Sequence, residues 1–182
     1  MFVQTEETPN PNSIKFILDE QVTKYSSFDF DFQTDTDKHS DFAKSVFRIG
    51  NVERIFILDD FITITKLADG DWSVIKPQVL SVIMDFVASK KPIVNPQNNE
   101  VRTFDDPIEK EIYEIIEDRV KPAVAMDGGD IEFIKFDKES GVVYVSMHGS
   151  CSGCPSSTVT LKEGVVRTLQ HYIPEVKDVE QI

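Results

Sequence analysis

Two cysteines occur in the chain, Cys151 and Cys154, and they stand in one C-x-x-C loop, Gly149-Ser150-Cys151-Ser152-Gly153-Cys154-Pro155. Thiolates are soft ligands suited to zinc, copper(I) and iron–sulfur clusters. A two-residue spacer lets both sulfurs converge on one centre. Gly149 and Gly153 remove side chains where backbone N–H groups must approach sulfur. A helix expected after Pro155 points its positive end at the loop, and both effects favour the thiolate over the thiol.

Spacing alone leaves several readings open. Two cysteines in 182 residues cannot form a disulfide framework. A dithiol oxidoreductase also places C-x-x-C between a strand and a helix start, but a thioredoxin-like domain needs a βαβ unit ahead of it. Here the preceding segment reads as a hairpin. A zinc-binding module and an all-thiolate iron–sulfur site each need four ligands. One chain supplies two thiolates, so a complete thiolate site is shared between two chains or finished by an external thiol. His148 lies close in sequence and reads as a surface or packing residue. Two buried core cysteines are the plain alternative; the flanking Gly, Ser and Pro argue instead for an exposed loop. No acid, base and nucleophile stand together as a triad, so no enzyme is expected.

The elements that must position this loop can be read from the pattern around it. Asp105-Asp106-Pro107 opens a helix with acidic residues and proline in its first turn. Ile108, Ile112, Ile115, Ile116 and Val120 form its apolar stripe, and Lys121-Pro122 should end or kink it. Gly128-Gly129 makes a sharp turn requiring positive φ, with a further role in shaping the loop's surroundings. Strands follow over 131–136 and 142–147, then the loop, then a helix burying Leu161, Val165, Leu169 and Tyr172. Residues 176–182 make a last short strand.

The first half alternates strands and helices. Ile14, Phe16 and Leu18 share one side of a strand over 13–18, with Lys15 on the other. Thr8 to Asn12, with two prolines, is a structural turn. Phe28 to Phe32 alternates as a strand, and 34–37 is a loop. A helix over 41–49 stops at Gly50, strands over 52–58 and 61–67 meet at Asp59-Asp60, and Asp71 caps a helix to about Ala88 that Pro77 should bend or delay. Residues 89–105 lose periodicity and carry prolines and amides, as linkers do. The expected organisation is α+β: two small domains, 1–91 and 105–182, joined by a flexible linker at 92–104.

Composition narrows the partners. The formal net charge is −13, with 10 basic and 15 acidic residues in 1–91 and 9 and 17 in 92–182. Neither half is a basic module, so nucleic acid is not an expected partner. No apolar run reaches the length of a membrane span. The first residues lack a signal or transit pattern, which points to bacterial cytoplasm, or to the mitochondrial matrix for a processed eukaryotic form.

Larger stretches carry a resemblance. Asp127-Gly128-Gly129-Asp130, the loop from Gly149 to Ser157, and Ile173-Pro174-Glu175-Val176 resemble the C-terminal NifU domain. Phe2-Val3-Gln4-Thr5, Thr8 to Asn12, Phe47-Arg48-Ile49 and Asp60 to Lys66 resemble the Nfu N-terminal domain. The resemblance implies an iron–sulfur cluster scaffold or carrier with a [4Fe–4S] cluster on paired C-x-x-C motifs, delivered to apo-proteins. Cys151 and Cys154 match the family's ligands. It implies a homodimer or higher assembly through a shared cluster, apo iron–sulfur clients and upstream cluster-assembly proteins as partners.

Overall fold

The computed structural model describes residues 2–23, 27–33, 40–94, 103–152 and 155–182. The chain divides into two α+β units, Met1–Asn99 and Glu100–Ile182. Among the described residues no helix is long and apolar enough to cross a membrane.

Among the described residues the first unit is an antiparallel sheet with strand order β1-β2-β5-β4-β3 and two helices. Its strands are β1 (Val3–Glu7), β2 (Ser13–Leu18), β3 (Phe28–Asp31), β4 (Val52–Leu58) and β5 (Phe61–Lys66); its helices are α1 (Asp41–Phe47) and α2 (Trp72–Ala88). Strand alternation sends Ile14, Phe16, Ile55, Ile57, Ile62 and Ile64 into one core with Phe42, Val46, Val79 and Ile83 of the helices. Ser40 caps α1 by accepting the Ala43 N–H, and Asp71 caps α2 by accepting that of Ser73. The β4–β5 turn forms at Asp59, whose φ of 45° suits an aspartate in the left-handed region.

Two expectations need correction here, and one strand was not expected. Pro77 does not delay α2, since the helix begins at Trp72 and runs through the proline. The bond that proline cannot make falls on the Ser73 carbonyl, in the exposed first turn. Lys15 is buried instead of solvated, its Nζ 4.3 Å from the Phe61 ring centre. The edge strand β1 has no apolar alternation of its own; the register with β2, Val3 opposite Leu18, holds it.

The stretch expected to link the domains has both ends in cores. Ile93 and Val94 are buried with the first unit, and Phe104 packs on Tyr113 and Phe133 in the second. The expected loop at 34–37 and the middle of the expected linker, 95–102, lie outside the described residues.

The second unit contains α3 (Pro107–Ile115), a π-helical turn (Ile116–Val120), α4 (Lys121–Met126), β6 (Gly129–Asp137), β7 (Val142–Gly149), α5 (Pro155–Tyr172) and β8 (Asp178–Gln181). β6 and β7 form the expected hairpin, and β8 returns parallel to β7. Ile112, Ile116 and Val124 meet Ile131, Phe133 and Val145 of the sheet and Val165 and Leu169 of α5.

Lys121-Pro122 does not end the first helix of this unit. Proline lacks the N–H for an α-helical bond, and its ring crowds the carbonyl four residues back, that of Asp118. The wider π turn takes up an extra residue there and lets the helix run on into α4. Tyr172, expected on the buried side of α5, is 42% exposed and lies with its ring centre 4.8 Å from the Arg119 guanidinium.

Candidate thiolate site

The hairpin of β6 and β7 positions the cysteine loop. At its open end Gly129 pairs with Gly149 and Asp130 with His148. Gly128 and Gly149 both have positive φ, 79° and 67°, which turn the chain sharply into β6 and out of β7. Ser150 then ties the two turns together: its N–H donates to the Gly128 carbonyl at 3.2 Å, and its hydroxyl donates to the Asp127 carbonyl. Ser152 N–H closes back on the Gly149 carbonyl at 3.1 Å.

These bonds fold Cys151 back over Gly129. A Cβ built on Gly129 would stand 2.6 Å from Cys151 Sγ and 2.7 Å from the His148 carbonyl oxygen. Cys151 is therefore only 4% exposed and belongs to the second core. The expectation of an exposed cysteine is corrected for this residue: the small flanking residues let the loop pack down. The Ser150 hydroxyl lies 3.8 Å from Sγ, within reach of a weak hydrogen bond to sulfur. Cys154 and Gly153 lie outside the described residues. The helix expected after the loop is present, beginning at Pro155.

Next to Gly129 in sequence lies a charged group. Asp130, whose side chain is 5% exposed, has Oδ1 3.8 Å from Lys121 Nζ and accepts the Ile131 N–H at 2.8 Å. Lys121 Nζ is also 2.8 Å from Glu117 Oε1, one helical turn back. Burial works to lower the Lys121 pKa, but the Asp130 and Glu117 carboxylates together outweigh it, so the ammonium is held above its ordinary value. Lysine, glutamate and aspartate here form one charged string from the π turn to the start of β6. Sequence reading missed it, because its members are separated by the Pro122 helix and the glycine turn.

The other positions singled out in sequence have structural roles. His148 Nε2 stands 3.9 Å from Glu132 Oε2 on the sheet face. Among the described residues no three His, Cys, Asp or Glu side chains gather as a metal site. Thr8 to Asn12 is a turn, with Asn10 Oδ1 accepting the Asn12 N–H at 2.9 Å. Trp72 packs against the first core and reaches the Pro11 carbonyl at 3.4 Å.

The arrangement defines a class: a two-domain α+β protein whose second unit sets a thiol between a hairpin end and a helix N-terminus. Known proteins sharpen this. The family model described as "Scaffold protein Nfu/NifU N terminal" matches residues 3–90, and "NifU-like domain" matches 112–180. The "NifU-like protein 5, mitochondrial" of Arabidopsis thaliana is 42% identical over 187 residues, spanning 100% of this chain and 68% of that protein. The "NFU1 iron-sulfur cluster scaffold homolog, mitochondrial" of Drosophila persimilis is 47% identical over 187 residues, spanning 100% of this chain and 65% of that protein. A solution structure of a NifU-like protein from Saccharomyces cerevisiae aligns with TM-score 0.49 and 29% identity, over 53% of this chain and 87% of that one. The chain belongs to the Nfu family of NifU-like proteins. It spans about two thirds of the length of these curated relatives.

Proposed function

We propose that this protein is an iron–sulfur cluster scaffold and carrier. Its cargo is a [4Fe–4S] cluster held by the Cys151 and Cys154 thiolates of two copies and passed to apo-proteins. The observation that carries this reading is the placement of Cys151 on Gly129, between the hairpin end and the start of α5, in a chain with two thiols in total. The Drosophila relative named as an iron-sulfur cluster scaffold homolog supports it.

The donor chemistry suits the cargo. Thiolate sulfur matches the soft iron of a cluster better than any carboxylate or imidazole nearby. The N-terminal end of α5 favours negative charge at the loop. Two thiolates per chain leave a four-iron cluster half-ligated, and a second copy supplies the other two, so the working unit in this reading is a homodimer or higher assembly.

Release is ligand exchange, not catalysis. Each incoming client thiol gives up its proton and takes over an iron–sulfur bond; the departing Cys151 or Cys154 sulfur picks up a proton. No oxidation state changes. Because Cys151 is buried, exchange needs the loop to lift from Gly129, and the glycines at 128 and 149 are where its backbone turns. Its partners in this reading are upstream cluster-assembly proteins and apo iron–sulfur clients. The names of the relatives favour mitochondria over bacterial cytoplasm as its location.

Anaerobic reconstitution with iron and sulfide tests the reading. About four irons and four sulfides per pair of chains, with a broad visible absorbance, are expected. Zinc alone at stoichiometric content, or a reversible disulfide with no iron, would replace it with the zinc-module or oxidoreductase reading.

A further inference from the structure

We propose that Lys121 is a positioning residue for the cysteine loop, acting through buried Asp130 and the Gly128-Gly129 turn. The inference rests on the reading of Cys151 as a cluster ligand. Lys121 is the first residue after the π turn. One added residue rotates everything beyond it by about 100° relative to an unbroken helix. That rotation sets the face on which the Lys121 side chain leaves α4. Its Nζ meets Glu117 on its own helix at 2.8 Å and Asp130 on β6 at 3.8 Å.

Asp130 makes the link to the thiol. A carboxylate with 5% of its side chain exposed keeps its charge only with compensating partners, and the Lys121 ammonium is one that faces it. The residue before Asp130 is Gly129, the surface on which Cys151 Sγ rests, and the Gly128 carbonyl holds Ser150 N–H. The string therefore runs from Lys121 to Asp130, then through one peptide to the floor of the thiol. The apolar core of the unit, with Ile112, Ile116, Val124 and Ile131, includes neither Lys121 nor Asp130. The specific task of the string is to hold that floor in register. Residues that orient metal ligands from one step away commonly change affinity by about tenfold to a hundredfold when lost.

The test uses the full chain with Cys154→Ser, so that Cys151 is the single thiol, and measures the rate of its labelling by a thiol reagent. Lys121→Met keeps the length of the stem and removes the charge. It should speed labelling about tenfold while circular dichroism stays native, and Lys121→Arg should stay within about twofold of the parent. With both cysteines present, the Lys121→Met protein should lose a reconstituted cluster to a chelator about tenfold faster. Labelling of Lys121→Met at the parent rate overturns the proposal, and so does an arginine variant as fast as the methionine one. Should the methionine variant not fold, Glu117→Gln decides: about threefold faster labelling supports the proposal and no change overturns it. If Lys121 controls labelling but the native chain takes up no cluster, the cluster reading fails and the positioning role stands.

Discussion

Gly129 and Cys151 contend for the same space: a Cβ on the glycine would lie 2.6 Å from the cysteine sulfur. The neighbouring Gly128 is needed for its φ of 79°, whereas Gly129 lacks a positive φ and is needed for its missing side chain. Gly129→Ala should destabilise the second unit by about 1–3 kcal/mol, the range for forced overpacking. The sulfur should also be pushed from its seat, so thermal melts and thiol labelling are both informative. A full-stability alanine variant with unchanged labelling would show that the loop does not rest there.

Gly164 is the opposite case. It lies in the interior of α5, and a Cβ built on it meets nothing within 4 Å. Gly164→Ala should stabilise the protein by about 0.5–1 kcal/mol through helix propensity alone. Denaturant unfolding of this variant beside Gly129→Ala would separate backbone effects from steric ones, with shifts of opposite sign.

Acid should loosen the start of α3. Asp106 caps that helix by accepting the Ile108 N–H at 3.0 Å and pairs with Lys138 Nζ at 2.6 Å. The Lys138 hydrogen bond foremost, with the capping bond behind it, holds its pKa below the ordinary aspartate value of 3.8. A lowered folded pKa means stability that is present above pH 3.8 and is lost as pH falls through the folded value. Asp106→Asn should lower stability at neutral pH and flatten the acid limb below pH 3.8. An acid limb of native steepness in that variant would assign the effect to other carboxylates.

Separate cores predict separable domains. Because Val94 is buried with the first unit and Phe104 packs on the second, limited proteolysis should cut after Val94 and before Phe104. Two folded fragments are expected, each melting near its transition in the intact chain. One resistant core spanning both would contradict the division.

How far the sequence revealed this arrangement depended on how local each signal was. Strand alternation at Ile14, Phe16 and Leu18, the Asp71 cap and the hairpin ahead of the loop are short-range patterns, and all are present in the fold. The C-x-x-C loop marked the site by residue type alone. Non-local effects were illegible. The burial of Cys151 depends on hydrogen bonds from Ser150 to residues more than twenty positions earlier. The Lys121–Asp130 pair spans a helix and a turn, and the π turn that absorbs Pro122 replaced the expected helix end. β1 showed no pattern because its partner strand, not its own residues, defines it.

The central claim is that the two thiols hold a transferable cluster between two copies of the chain. Anaerobic sizing with iron analysis, run on the native chain, Cys151→Ser and Cys154→Ser and followed by transfer to an apo-protein, tests it most directly. Serine keeps the size of cysteine but is a poor ligand for cluster iron. The native chain should pass from monomer to dimer or higher on reconstitution and then activate the acceptor. Each serine variant should stay monomeric, hold little iron and transfer none, with its fold intact. A cluster-loaded monomer without added thiol, or full transfer by either serine variant, would contradict the account.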